Sequence, residues 1–110
     1  MLFKGSKYGN KKTEYNGNSY MSKREANYAQ QLDLLKKAKN PADQVVSYEI
    51  QVPYPIEING KKICKYLADF RVLYADGHTE VVDVKGFRTD IYRLKKKLVE
   101  ATYSIEIKEV

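Results

Sequence analysis

Residues 62–86 read KICKYLADFRVLYADGHTEVVDVKG and contain the pattern that decides the fold. Apolar and polar residues alternate on both sides of Ala75-Asp76-Gly77, which indicates two strands joined by a tight turn. A two-residue turn would pair Asp69 with Val84 and send Asp83 to the far face of the sheet. A three-residue loop with Gly77 in the left-handed conformation pairs Asp69 with Asp83, and glycine is compatible with that loop because it has no Cβ.

The faces of these two strands carry the candidate chemistry. Strict alternation puts Leu67, Asp69, Arg71 and Leu73 on one face of the first strand, with Tyr66, Ala68, Phe70 and Val72 on the other. On the second strand it groups Val81, Asp83 and Lys85. With the three-residue loop, two carboxylates and one ammonium group converge. Such carboxylates repel unless a cation lies between them, and they suit Mg²⁺, with Mn²⁺ as a substitute. Lys85 could hold an attacking water or stabilise charge developing on phosphorus.

The flanking sequence predicts an α+β fold in the order α-β-β-β-α-β, with a mixed sheet flanked by helices. Asn16-Gly17 suits the turn of a small hairpin, and a capping box at Ser22 begins the first helix. Pro53 and Pro55 interrupt the next strand. The predicted elements are a hairpin over 13–21, a helix from 22 to about 39, strands over 45–52, 62–74 and 79–85, an edge segment at best over 54–58, a turn at 59–60, a helix over 89–101 and a strand over 103–108.

Glu25 has two interpretations that are compatible with each other. It lies on the stripe of the first helix that also carries Tyr28, Leu32 and Leu35. A carboxylate on a core-facing stripe is costly unless it has a partner. Glu25 could complete the capping box with Ser22, or it could face the metal site.

The second helix is expected to bury Ile91, Leu94, Leu98 and Ala101. Lys95 borders that stripe and is a candidate to flank the site, while Arg88, Lys96 and Lys97 are candidate phosphate contacts; a solvated basic face is the alternative. Gln51 could assist the site or be an ordinary strand residue. Glu106-Ile107-Lys108 also fits acid-x-Lys, but no strand with a suitably placed Asp precedes it.

Composition limits the classes of protein to consider. The chain has 110 residues and a net charge of +6, which indicates one domain over 13–110 after a flexible basic arm over 1–12. The excess charge favours a polyanionic partner, with a solvated lysine surface as the alternative. Lys7, Lys11 and Lys12 in the arm, and Lys23 on the first helix, are candidate DNA contacts.

Other features exclude several kinds of site. One histidine rules out HNH-type nuclease chemistry, one cysteine rules out zinc fingers, and no phosphate-binding Gly-x-x-x-x-Gly-Lys-Ser/Thr motif is present. No apolar run approaches the roughly 20 residues of a membrane span, and the N-terminus lacks the apolar segment of a secretory signal. The cytoplasm is therefore the expected compartment, and no membrane partner is expected.

The ordered set of Glu25, Asp69 and Asp83-Val84-Lys85 resembles the PD-(D/E)xK, or restriction-endonuclease-like, nuclease superfamily. The passages KYGNK (7–11), SKREA (22–26), QVP (51–53), YLADF (66–70) and VDVKG (82–86) are similar to small phage-encoded endonucleases. A more distant similarity is to archaeal Holliday-junction resolvases. Ala68 stands where the superfamily has its name-giving proline, which contributes no ligand.

The resemblance implies Mg²⁺-dependent hydrolysis of DNA phosphodiester bonds that leaves 5′-phosphates. It assigns metal ligation to Asp69, Asp83 and the backbone carbonyl of Val84, with Glu25 binding directly or through water, and it assigns the attacking water to Lys85. The resolvase similarity implies a homodimer selective for branched DNA, with a monomeric nickase or flap nuclease as the alternative. The alternative from another class is a non-catalytic DNA-binding accessory protein with the same fold.

Overall fold

A computed structural model of the protein describes residues 12–84 and 88–110. The elements confirm the predicted α+β class and the order α-β-β-β-α-β after a small hairpin. They are β1 (Thr13–Tyr15), β2 (Asn18–Tyr20), α1 (Lys23–Leu35), β3 (Val45–Ile58), β4 (Lys61–Tyr74), β5 (Thr79–Asp83), α2 (Asp90–Tyr103) and β6 (Ile107–Glu109). Neither α1 nor α2 is long and apolar enough to cross a membrane. The predicted basic arm, apart from Lys12, lies outside the described residues.

The four-stranded sheet has the order β3-β4-β5-β6, in which β6 is parallel to β5 and the other neighbours are antiparallel. A three-residue loop joins β4 to β5, since the Tyr74 N–H donates to the His78 carbonyl at 2.9 Å and Gly77 has a φ of 96°. The resulting register pairs Phe70 with Val82. Asp69 therefore lies at the level of Asp83, as the three-residue loop predicts.

Several predicted boundaries were wrong. The last strand, predicted over 103–108, begins only at Ile107, because α2 continues to Tyr103 and Ser104 caps it in the left-handed conformation. Helix α1 ends at Leu35 and not near Lys39, because the following amides bond three residues back instead of four and tighten the last turn. Strand β3 runs through Pro53 and Pro55 without interruption to Ile58. It lies at the edge of the sheet, where a proline on the outer side costs no ladder hydrogen bond. The carbonyl of Pro55 accepts from the Tyr103 hydroxyl at 2.7 Å, which agrees with that outward orientation.

The core consists of two clusters on opposite faces of β5, because the adjacent residues Val81 and Val82 belong to different clusters. The α1 cluster contains Ala26, Ala29, Leu32, Phe70, Val72, Tyr74, Val82 and Val84. The α2 cluster contains Val52, Tyr54, Ile56, Tyr66, Ala68, Val81, Tyr92, Val99 and Ile107. Tyr66, Ala68, Phe70 and Val72 are all buried, as the predicted alternation has them. Their side of β4 nevertheless changes cluster between Ala68 and Phe70, so Tyr66 lies in the cluster of Val81 and not in that of Val82.

The prediction for the second helix was also wrong about which side is buried. Ile91 is 67% exposed, Leu94 is 59% exposed and Ala101 is exposed, whereas Tyr92 and Val99 are buried. The ring of Tyr92 packs near that of Tyr66, and its hydroxyl donates to Glu109 at 2.8 Å. A buried tyrosine removes a large apolar area from water when its hydroxyl has a hydrogen-bond partner. The helix therefore buries the side that carries Tyr92 and leaves Ile91 and Leu94 exposed.

Candidate functional site

Two buried carboxylates lie together on neighbouring strands, Asp69 on β4 and Asp83 at the end of β5. Asp83 is fully buried and Asp69 is 6% exposed. The backbone N–H of Val84 donates to Asp69 Oδ2 at 2.7 Å, which connects the end of β5 to the Asp69 carboxylate. The loop before β5 sets this register, so the turn chemistry of Gly77 is what brings the two acids together.

The electrostatics of this pair favour a positive partner. Burial raises the pKa of Asp69 well above its ordinary value, and hydrogen bonding with Asp83 and the charges of Asp83 and Glu25 raise it further. The N–H of Val84 acts in the opposite direction. Without a cation, the pair must hold a proton to limit the repulsion. A divalent cation would replace that proton.

Glu25 comes from the other side of the site. It is 8% exposed on the first turn of α1, and its charge contributes to the raised pKa of Asp69. The Ser22 hydroxyl accepts from the Glu25 N–H at 3.2 Å, so the capping interaction of Ser22 is present as well. The structure therefore brings Glu25 near Asp69 and shows the half of the capping box that the Ser22 hydroxyl makes.

Tyr66 is a site residue that the sequence analysis missed. Its hydroxyl donates to Asp83 Oδ2. Burial and the Asp83 carboxylate raise the pKa of Tyr66, so the hydroxyl keeps its proton and remains a donor. Alternation alone put Tyr66 on the face opposite Asp83, and only the change of cluster along β4 brings them into contact.

We expect Tyr66→Phe to weaken the carboxylate site without removing a carboxylate. Loss of the donor to a buried carboxylate should lower the free energy of unfolding by about 1–3 kcal/mol. If the pair binds Mg²⁺, loss of this orienting contact should also raise the Mg²⁺ concentration that half-saturates the protein by about 10–100-fold. Tyr103→Phe is the control, since that hydroxyl donates to the carbonyl of Pro55 on β3 and not to either aspartate. An unchanged Mg²⁺ requirement would contradict the orienting role.

The donor set fits a hard cation that keeps several waters. Within residues 12–84 and 88–110, the Asp83 Oδ1 atom is buried and has no hydrogen-bond partner, which is costly unless a positive group approaches it. No group of three or more His, Cys, Asp or Glu side chains in those residues is arranged to hold a metal ion. Mg²⁺ needs fewer, because it commonly binds through one or two carboxylates and water. Asp69, Asp83 and the Val84 carbonyl would supply such a set.

Gln51 has a strained backbone beside the site. It lies between the pairs Ile50–Phe70 and Val52–Ala68, which is the level of Asp69. Its φ of 51° is in the left-handed region, which is uncommon for a residue other than glycine. Strain of this kind is often kept at functional sites. The position agrees with the hypothesis that Gln51 assists the site.

The remaining candidates are placed less centrally. Lys95 donates to the carbonyl of Lys65 at 3.5 Å, four residues before Asp69 on β4. Arg88 pairs with Glu109 at 3.0 Å, and Lys96 lies 3.8 Å from both Glu100 and Glu109. The exposed candidates are Lys12, Lys23 and Lys97. Lys7, Lys11 and Lys85 lie outside the described residues.

Comparison with known proteins gives a family for the chain. No curated protein and no solved structure matches it significantly. A family model described as "Protein of unknown function (DUF1064)" matches residues 5–109. That range includes α1, the whole sheet and all four residues proposed for catalysis. The chain is therefore a member of the DUF1064 family.

Proposed function

We propose that this protein is a Mg²⁺-dependent DNA endonuclease that acts in the cytoplasm. The observation that carries the proposal is the pair of buried carboxylates, Asp69 and Asp83, on neighbouring strands, with one oxygen that has no donor among the described residues. Stability alone does not favour burying two acids side by side. Hydrolysis of a phosphodiester by a bound cation does require such a pair.

Each residue of the site has a proposed role in that reaction. The cation would lower the pKa of its bound water and polarise the phosphodiester. Asp69, Asp83 and the Val84 carbonyl would hold it, and Glu25 would bind it through water, because the described carboxylates are not grouped for a third direct ligand. The Val84 N–H and the Tyr66 hydroxyl orient the two aspartates. Lys85, two residues after Asp83, would position the water whose oxygen bonds to phosphorus as the bond to the 3′ oxygen breaks, leaving a 5′-phosphate.

The test is a cleavage assay with Mg²⁺ on linear, nicked, flapped and four-way-branched DNAs of the same sequence. We expect cleavage that EDTA abolishes and that Mn²⁺ restores. DNA binding without cleavage of any substrate, in either metal, would contradict the endonuclease and support the accessory DNA-binding protein. Selective cutting of the branched substrates would support the resolvase-like alternative over a general nickase.

Helix α2 provides a graded test of the DNA surface. Lys97 is exposed, while Lys96 already lies near two glutamates. We expect Lys97→Ala to reduce the slope of log affinity against log salt by about 0.9, the value for one phosphate contact. Adding Lys96→Ala should change the slope little further, because Lys96 is partly neutralised. The measurement is fluorescence anisotropy at several salt concentrations. A double variant whose slope falls by about twice as much would show that Lys96 also contacts a phosphate and would contradict its neutralisation by the two glutamates.

We also propose that the active species is a homodimer formed through α2. Ile91 and Leu94 are exposed and, with the partly buried Leu98, form an apolar stripe. In an antiparallel pair of these helices, the apolar stripes of the two copies would face each other across a twofold axis. Two copies would present two Asp69/Asp83 sites to strands of opposite polarity.

Light scattering at micromolar concentration, with and without a four-way junction, tests the dimer. We expect the mass of two chains, and we expect Leu94→Glu to give the mass of one chain because it places a charge in the centre of the stripe. Leu34→Glu is the matched control, since it changes an exposed leucine of α1. A monomer in both conditions that cuts linear and branched DNA alike would support the monomeric nuclease.

A further inference from the structure

A cavity of about 620 Å³ opens beside the carboxylate pair. Helix α1 forms one wall, and the end of β5 and the C-terminal strand form the other. Its lining includes Lys23, Asn27, Tyr28, Gln31, Val84 and Lys108. Val84 connects it to the site, because it lines the cavity and its N–H donates to Asp69.

The spacing along α1 explains why this wall is polar and accessible. Lys23, Asn27 and Gln31 are four residues apart, so they lie on one ridge of the helix. All three are exposed, and the buried residues of α1 lie on another side. The ridge therefore presents two side-chain amides and one ammonium group to the cavity and takes no part in the core.

The chemistry of the lining matches the parts of a nucleotide. Lys23 and Arg24 provide positive charge, while the ammonium group of Lys108 lies 3.7 Å from Glu80, and no Asp or Glu side chain is among the lining residues within the described part of the chain. Asn27 and Gln31 can both donate to and accept from the edge of a base. The half-buried ring of Tyr28 contacts Phe70 and offers its remaining surface to a base.

We infer that this cavity binds one unpaired nucleotide of the DNA strand next to the phosphate that is cleaved. The volume falls within the range of about 300–1,000 Å³ for pockets that enclose small molecules. A paired and stacked base cannot enter such a pocket without leaving the duplex. The inference rests on the proposed DNA substrate, and it adds that an unpaired nucleotide is the feature that the protein selects.

The test compares binding to two DNAs in EDTA, so that cleavage plays no part. One probe is a fully paired duplex, and the other is the same duplex with a five-thymidine single-stranded tail. We expect the protein to bind the tailed duplex about tenfold more tightly, the size of effect that one stacked base can supply. The double variant Asn27→Ala with Gln31→Ala should lose this preference while its affinity for the paired duplex stays the same.

Two controls separate the cavity from other effects. Gln30→Ala changes an exposed residue of α1 that is not among the lining residues, and it should keep the preference. Lys97→Ala should weaken binding to both probes by the same factor. Equal affinity of the parent protein for the two probes, or a preference that survives the double variant, would overturn the inference.

The outcomes also distinguish this inference from the endonuclease itself. A protein that prefers the tailed probe through Asn27 and Gln31 but cleaves no DNA retains the cavity assignment and loses the nuclease. A protein that cleaves DNA with Mg²⁺ but shows no preference in EDTA retains the nuclease and loses the cavity assignment. Thermal melting of each variant checks that the alanines, which are good helix formers, leave α1 folded.

Discussion

Replacing Asp83 by asparagine is expected to abolish cleavage while DNA affinity stays equal or rises. The loss of a carboxylate ligand removes several kcal/mol of stabilisation from the transition state, which corresponds to a cleavage rate that is lower by at least about a thousandfold. Affinity should not fall, because the change removes negative charge that would face phosphate. Cleavage with Mg²⁺ and anisotropy in EDTA measure the two effects separately.

The same variant is expected to be more stable than the parent when no metal is present. Asparagine keeps the shape of Asp83 and can accept from Tyr66, and it can donate to Asp69, so the pKa of Asp69 is no longer raised by a second carboxylate. We expect the free energy of unfolding in EDTA to rise by about 1 kcal/mol.

Asp43→Asn is the matched control, because Asp43 is exposed and far from the site in the fold. It should change neither cleavage nor stability. If Asp83→Asn lost binding and cleavage by the same factor, or if it unfolded the protein, the carboxylate would be structural and the catalytic role would fail.

Phe70→Ala is expected to produce the largest loss of stability. Phe70 is fully buried in the α1 cluster. The centroid of its ring lies 5.1 to 6.1 Å from the ring centroids of Tyr20, Tyr28 and Tyr48. Removing a buried phenylalanine ring typically costs about 3–5 kcal/mol. That is a large part of the roughly 5–15 kcal/mol that a domain has in total.

Urea denaturation measures this loss, with Ile63→Ala as the control. Ile63 lies on the same strand but is exposed, so its replacement should change the free energy of unfolding by about 0.5 kcal/mol at most. Equal effects of the two variants would contradict the described packing of α1 against β4. Phe70→Ala should also lose cleavage at the temperatures where it unfolds, because unfolding separates Asp69 from Asp83.

The sequence by itself determined the parts of this protein that depend on local chemistry. Alternation in β4 and β5 predicted a hairpin, and Asn59-Gly60 predicted the turn before β4. Gly77 was compatible with the three-residue loop that brings Asp69 to the level of Asp83, while a two-residue loop with another register stayed open. The serine cap predicted the start of α1. These features hold because turn geometry and strand periodicity act over only a few residues.

Only the tertiary structure decided which layer covers each side of an element. β4 carries apolar residues on the same side throughout, yet α2 covers Tyr66 and α1 covers Phe70. Likewise, the aliphatic stripe of α2 and its tyrosine compete for the core, and Tyr92 is buried because Glu109 satisfies its hydroxyl. Burial depends on partners that are distant in sequence, so the hydrogen bond from Tyr66 to Asp83 and the exposure of Leu94 could not be predicted from local periodicity.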